Sequence, residues 1–373
     1  MSKAASAFRL KPVPFQDLPG WSLDDPSSLW SAMADCRNYL QSVKSYKAGA
    51  LGLTAEDLRP LLELASQTAP RNAAEARSFF EGETRPFLIE PTSSRSGLVT
   101  AFYEPEVDVS GSQDHEYRHP FYRRPTDLVD VDDIGRTSAA LDPSYAFALQ
   151  TDKGLVPYPD RRAIDQGWLE GRHLEIAWAR SKVDVFFAHV QGAARLRYPD
   201  GRLRRITYAA KAGHPFSGIG RLLIDLGEIP EAKISMQSIR AWLAEHPDRV
   251  DEILWHNRSY IFFREAEVDD LSRGPIAAAK VPLIAGRSLA VDRQIHTFGF
   301  PFFIHAAGLT HMDGGRDFAR AMLALDTGSA IVGPARGDIF TGSGDEAGLL
   351  AGAVRNAADF YILIPKQAAE RFV

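Results

Sequence analysis

The stretch Asp326-Thr327-Gly328-Ser329-Ala330-Ile331-Val332-Gly333-Pro334-Ala335-Arg336-Gly337-Asp338-Ile339-Phe340-Thr341-Gly342-Ser343-Gly344 sets two aspartates on either side of a glycine-rich connection. Glycine at these spacings permits tight turns and lets a flat ring approach the backbone closely. Ile339 and Phe340 follow Asp338, so its carboxyl emerges where a strand begins among apolar neighbours. Such surroundings raise a carboxyl pKa and keep a proton available for donation near neutrality. Taken alone, Gly-Asp pairs usually mark turns rather than sites, so the rest of the chain must decide.

Outward from this stretch the chain reads as many short strands punctuated by glycine and proline. Candidates lie at 98–103, 145–149, 183–190, 203–208, 260–263, 281–284, 288–291, 302–305, 321–325, 338–340 and 360–364. This pattern favours β-barrels over a parallel βαβ sheet. The N-terminal part is helical instead. Asp25-Pro26 pairs a capping acid with a proline, and Leu29, Trp30, Met33, Tyr39, Leu40 and Val43 then recur at helical spacing. Thr54-Ala55-Glu56-Asp57 resembles a capping box, and a third helix covers about 73–80. Two further helices are predicted near 219–226 and 236–244, the second opened by Ser235.

At 373 residues, with 45% hydrophobic and 24% charged residues, the chain is expected to fold as two domains with ordinary cores. A net charge of −5 argues against a nucleic-acid partner held through its phosphates. Cys36, the single cysteine, cannot form an internal disulfide and reads as a small buried residue in a helix; a lipid-modified cysteine is the other reading. The opening residues carry no apolar core of signal-peptide length, and no stretch is long enough for a transmembrane helix. Glu170, His173 and Glu175 are metal-like only superficially, and no cluster has zinc or calcium spacing, so no metal or cofactor is implied.

The segment 326–344, with the trailing Glu346-Ala347-Gly348 and Ala351-Gly352, closely resembles the C-terminal signature of the membrane-bound lytic murein transglycosylase A family. The resemblance also runs through 97–105, 120–125, 161–178, 183–197, 208–214, 234–240, 281–283 and 292–293, covering the chain from about Pro14 to Pro365. Two departures stand out. Ser329 replaces a glycine common in Asp-x-Gly-Gly-Ala, and Glu104 stands where some relatives have threonine.

The resemblance implies a mainly β fold with peripheral helices. Residues 1–103 and 269–373 would form a double-psi β-barrel, with 104–268 inserted as a second β-rich domain and the glycan lying between them. It implies cleavage of the MurNAc–GlcNAc β-1,4 bond of peptidoglycan without water, giving 1,6-anhydro-MurNAc ends. Asp338 takes the position of the family's catalytic aspartate and Asp326 that of its second aspartate. Asp326 either stabilises positive charge on the sugar or fixes the turn through its own backbone bonds. Tyr103, Glu104, Gln191, Tyr208, Lys211, Gln237 and Arg293 are the candidates for binding sugar. For four of them a plainer reading stays open: barrel packing for Tyr103 and Tyr208, capping for Gln237, an ion pair with Asp292 for Arg293. The family name further implies a periplasmic enzyme at the outer membrane, with other cell-wall enzymes as conceivable partners. A hydrolytic glycosidase using Asp326 and Asp338 as its pair, or an expansin-like module that binds wall glycan without cutting it, are the two alternatives.

Overall fold

The computed structural model describes residues 8–92, 96–142, 145–266 and 270–372. The expectations for the opening residues 1–7 and for the domain change at 268/269 fall outside them. The chain divides into two compact units. Unit 1 comprises Met1–Tyr103, Leu271–Gly342 and Glu346–Val373; unit 2 comprises Glu104–Asp270 and Ser343–Asp345.

In chain order the strands begin with β1 (Phe8–Pro12), β2 (Thr84–Pro91) and β3 (Gly97–Glu104). Unit 2 then supplies β4 (Glu106–Ser110), β5 (His119–Tyr122), β6 (Leu128–Asp130), β7 (Phe147–Thr151), β8 (Gly154–Val156), β9 (Glu175–Ala179), β10 (Ala193–Arg197), β11 (Leu203–Lys211) and β12 (Ile261–Ala266). The chain finishes with β13 (Ser288–Val291), β14 (Pro301–Ala306), β15 (Phe318–Asp326), β16 (Arg336–Ser343) and β17 (Arg355–Pro365).

Unit 1 is a closed barrel in the order β17-β14-β15-β13-β16-β3, with β3 returning to β17, and β2 and β1 extending the sheet from β17. Six strands and closure leave no free barrel edge. Phe302, Phe303 and Ile304 are all fully buried, although neighbours in a strand point to opposite faces. Both faces are covered, because helices Leu29–Ser42 and Ala55–Gln67 lay Leu29, Met33, Cys36, Leu58 and Leu62 into the same core. Strands buried on both sides read as continuous apolar runs. Helix Ala55–Gln67 starts in the predicted capping box, where Asp57 accepts from the Thr54 amide at 2.8 Å. Burial pushes the Cys36 thiol up to about 12, so it stays a neutral packing group.

In unit 2 one sheet runs β12-β11-β10-β4-β9-β5 and a smaller one β6-β7-β8. Here two expectations fail. The segment predicted as a strand at 183–190 is helix Lys182–Gln191, opened by Ser181 and ended by Gly192 at φ 78°. Its composition misleads because Val185 and Ala188 pack with one cluster while Phe186 and Phe187 pack with another, so no single apolar stripe is visible. The predicted strand at 281–284, in unit 1, forms only an isolated bridge between Ile276 and Pro282 around a turn with Lys280 at φ 65°.

A buried ion pair ties the N-terminal segment of unit 1 to its barrel. Asp24 is 5% exposed; it meets Arg287 at 2.8 Å and accepts from the Ala321 amide at 2.8 Å. Replacing Asp24 by Ala leaves the largely buried Arg287 with the carbonyls of Ala321 and Asp25 but no counter-charge and strips the Ala321 amide of its acceptor, and a loss of about 3–5 kcal/mol is expected in urea unfolding. A loss below about 1 kcal/mol, the range of exposed pairs, would contradict this role.

Candidate functional site

Ala290 of β13 has register partners on both sides. On one side it pairs with Asp338 of antiparallel β16, and on the other with Asp326 of parallel β15. Leu289 pairs with Ala324, so a bulge at Leu325 is what brings Asp326 into the row of Ala290. Residues in one row of a sheet project to the same face. The two carboxylates therefore share a face across three strands, with Cα atoms roughly 9–10 Å apart at two strand spacings.

Asp338 is held by groups from two strands. Thr100 of β3 donates through its hydroxyl to Asp338 Oδ1. Arg336 donates from Nη2 to Thr100 Oγ1 at 2.7 Å and from Nη1 to the carbonyl of Gly337. Gly337 allows this strand to sit so close to the core, since a Cβ there would lie 2.7 Å from the Phe360 ring and 2.8 Å from Leu289. Asp338 keeps part of its surface open to solvent, yet the protein crowds its carboxyl. Burial raises its pKa above the ordinary carboxylate value, and Thr100 and Arg336 offset only part of that.

Asp326 is pushed up to about 6, first by burial, with the charge of Asp338 adding to it. The amides of Thr327 and Ala278, the latter at 3.1 Å, and the charge of Lys280 oppose the shift. The connection between the two aspartates is tied down as well. Asp292 accepts from the Gly333 amide at 2.8 Å and the Gln294 amide at 3.0 Å. His296 lies 2.8 Å from the Pro334 carbonyl through Nε2, and burial drives its pKa down to about 4, so it is the neutral ring that donates there.

The other expected sugar-binding residues are placed differently. Tyr103 is buried on β3, its ring against the backbone of Gly348. Glu104 corrects the expectation. It is completely buried, with one oxygen 2.5 Å from Arg205 and the other taken by Arg195 at 2.9 Å and the Ser343 hydroxyl at 2.7 Å. A carboxylate so enclosed has no surface to offer a sugar. Gln191, Tyr208, Lys211 and Gln237 belong to unit 2. Gln191 and Tyr208 come together there, because the Tyr208 amide donates to Gly192 at 2.8 Å, and the Tyr208 side chain is 42% exposed. Lys211, at the end of β11, is half-buried, which lowers its pKa. Ser235 and Ser238 cap helix Met236–Glu245 reciprocally, with Gln237 between them in its first turn. Arg293 is exposed, and among the described residues it makes no ion pair with Asp292, whose carboxylate is spent on backbone amides.

Thr100 and Arg336 were not among the expected residues. Arg336 stands inside the quoted stretch, but only the register and the partner strand reveal its reach. A cavity of about 320 Å³ in unit 1, lined by residues including Asp24, Arg287, Asp313 and Arg320, touches neither aspartate, and ion pairs join its charges. Among the described residues no group of His, Cys, Asp and Glu is placed to hold a metal ion.

Residues 98–264 match the MltA specific insert domain, and residues 287–364 match the 3D domain. The chain is 63% identical to a membrane-bound lytic murein transglycosylase of Agrobacterium tumefaciens whose crystal structure is known, over 98% of this chain and 100% of that one, with a TM-score of 0.93. It is 30% identical to MltA from Neisseria gonorrhoeae over 95% of this chain and 92% of that one, with a TM-score of 0.77. It is also 31% identical to membrane-bound lytic murein transglycosylase A of Escherichia coli strain K12 over 71% of this chain, a match that spans 64% of that relative's length. The fold is mainly β, built on a closed barrel with peripheral helices, as expected, and the chain belongs to the membrane-bound lytic murein transglycosylase A family.

Proposed function

We propose that this protein is a lytic murein transglycosylase that cuts the MurNAc–GlcNAc bond of peptidoglycan with Asp338 as its only acid and base. The observation that carries the reading is a half-open carboxyl with a raised pKa, anchored through one oxygen by Thr100. The names of its relatives, membrane-bound lytic murein transglycosylases, support murein as the substrate class, and that substrate favours a periplasmic place of action. Among the described residues no helix is long and apolar enough to cross a membrane.

In this mechanism neutral Asp338 gives its proton to the glycosidic oxygen as the bond from that oxygen to C1 of MurNAc breaks. Positive charge develops on the sugar ring. The MurNAc 6-hydroxyl then attacks C1, and its proton passes to the Asp338 carboxylate. One bond to C1 is lost and one gained, the acid is restored, and no water enters. A second carboxylate is unnecessary because the nucleophile belongs to the substrate, whereas hydrolytic glycosidases need two. Asp326 shares the face of Asp338, where as an anion it would stabilise the oxocarbenium-like ring. That same placement is what favours the hydrolytic alternative, in which Asp326 activates a water.

Digestion of purified sacculi separates the readings. Transglycosylation releases muropeptides with anhydro ends, lighter by one water than the reducing ends a hydrolase leaves. A wall-binding module would release no soluble fragments.

Asp338→Asn should fold normally and lose turnover by about 10²–10⁴-fold, measured as anhydro-muropeptide release. Retention of near-parental activity would sink the assignment of Asp338. The pH profile follows from the same group. Turnover begins from protonated Asp338, so kcat/KM should fall as pH rises through its elevated pKa; a rate that keeps climbing there would contradict the role. Asp326 makes a separate prediction about stability. With a folded pKa of about 6 against an ordinary 3.8, the folded state holds more protons between these values, so stability falls as pH rises across that window. Asp326→Asn should remove this contribution, on the order of 2–3 kcal/mol, from the pH dependence of thermal unfolding between about pH 4 and 6, while Asp338 and His296 keep theirs. An unchanged pH dependence in the variant would show that Asp326 is not the group responsible.

A further inference from the structure

Arg336 stands two residues before Asp338 on β16, and alternation along a strand puts both side chains on one face. Its guanidinium is braced at two points, by the Gly337 carbonyl and by Thr100 Oγ1. A guanidinium can only donate, so Thr100 Oγ1 accepts from Arg336. The positive charge beside it makes that oxygen a poor second acceptor and its own O–H a stronger donor. The Thr100 proton therefore points at Asp338 Oδ1. An Oδ1 that accepts from Thr100 leaves the acidic proton of neutral Asp338 on Oδ2.

We infer that Arg336 is a positioning residue which, acting through Thr100, fixes Oδ2 of Asp338 as the atom that gives and reclaims the proton. The inference rests on the proposed role of Asp338 and adds which oxygen acts and what selects it. It also accounts for a half-buried arginine that donates to a hydroxyl and a carbonyl and, among the described residues, has no carboxylate in direct contact. Other charges face the pair from neighbouring strands. Asp326 approaches from β15 across Ala290, with Lys280 beside it, and Arg355 of β17 lies opposite Thr100 and acts on Arg336. The substitutions below leave all three untouched.

Removing Arg336 withdraws both the orientation and a nearby positive charge, so the carboxyl should bind its proton more tightly. In Arg336→Gln, kcat should drop about 10–100-fold, the value of a charge-assisted hydrogen bond, while KM stays within about twofold. The alkaline limb of the kcat–pH profile should move up by about one unit. The Asp338 carboxyl, followed by carbon NMR in the intact protein, should titrate higher by a similar amount. Arg336→Lys keeps the charge but not the planar fork, so it should restore the limb position and only part of kcat. Thr100→Val removes the intermediary and should reproduce the upward shift, which keeps the inference testable if Arg336→Gln folds poorly. An unmoved limb and unmoved NMR titration in both Arg336→Gln and Thr100→Val would overturn it. So would a raised KM with intact kcat, the signature of a sugar contact. The NMR titration needs no turnover, so it judges Arg336 even if sacculi yield no anhydro ends, a result that would instead defeat the proposed function.

Discussion

A parallel ladder to β15 and an antiparallel ladder to β16 meet at Ala290 of β13, and the bulge at Leu325 determines which residues stand beside it. Side chains alternate faces along a strand, so a slip of one residue would exchange Asp338 for Gly337 or Ile339 and turn the carboxyl to the other side of the barrel wall. Without the bulge, apolar Leu325 would take the place of Asp326. The shared face of the two aspartates is thus a property of register. Register in turn is held by the buried apolar residues around it: Leu289 and Ile339 pair across the same ladder, and Phe360 presses against Gly337.

Crowding a carboxyl is unfavourable unless partners repay it, and the chain treats its enclosed carboxylates in two ways. Glu104 is sealed in unit 2 between two arginines and a hydroxyl, with both oxygens engaged at short range. That arrangement suits a clamp. At Asp338 the arginine is set back behind Thr100, so among the described residues only Oδ1 is engaged, and part of the residue stays open. This geometry leaves the proton affinity high and one oxygen free for chemistry. The glycine-rich connection between the aspartates is correspondingly tied to Asp292, whose carboxylate takes the Gly333 amide, and to His296, whose Nε2 meets the Pro334 carbonyl.

Much of the architecture was legible in the residues, because barrel strands such as 302–305 and 360–364 are apolar runs bounded by turn signals, and the Thr54 and Ser235 caps announce their helices. The helix at 182–191 was not, since Val183, Val185, Phe186 and Phe187 imitate a strand when both flanks of a helix are packed. Asp326 and Asp338 stood out through their glycines, but the bulge that aligns them leaves no local signature. Thr100 lies 238 residues from its partner Asp338, a separation at which only the folded barrel discloses the pairing. Glu104 misled for the opposite reason. A carboxylate next to a candidate site invites a binding role, while the arginines that claim it arrive from β10 and β11.

The claim that one carboxyl suffices because the substrate supplies its own nucleophile is tested most directly by digesting sacculi in water enriched in heavy oxygen and weighing the released muropeptides. The account predicts MurNAc ends that carry no solvent oxygen and close on their own C6 oxygen. Heavy oxygen at C1 of the newly formed ends would contradict it.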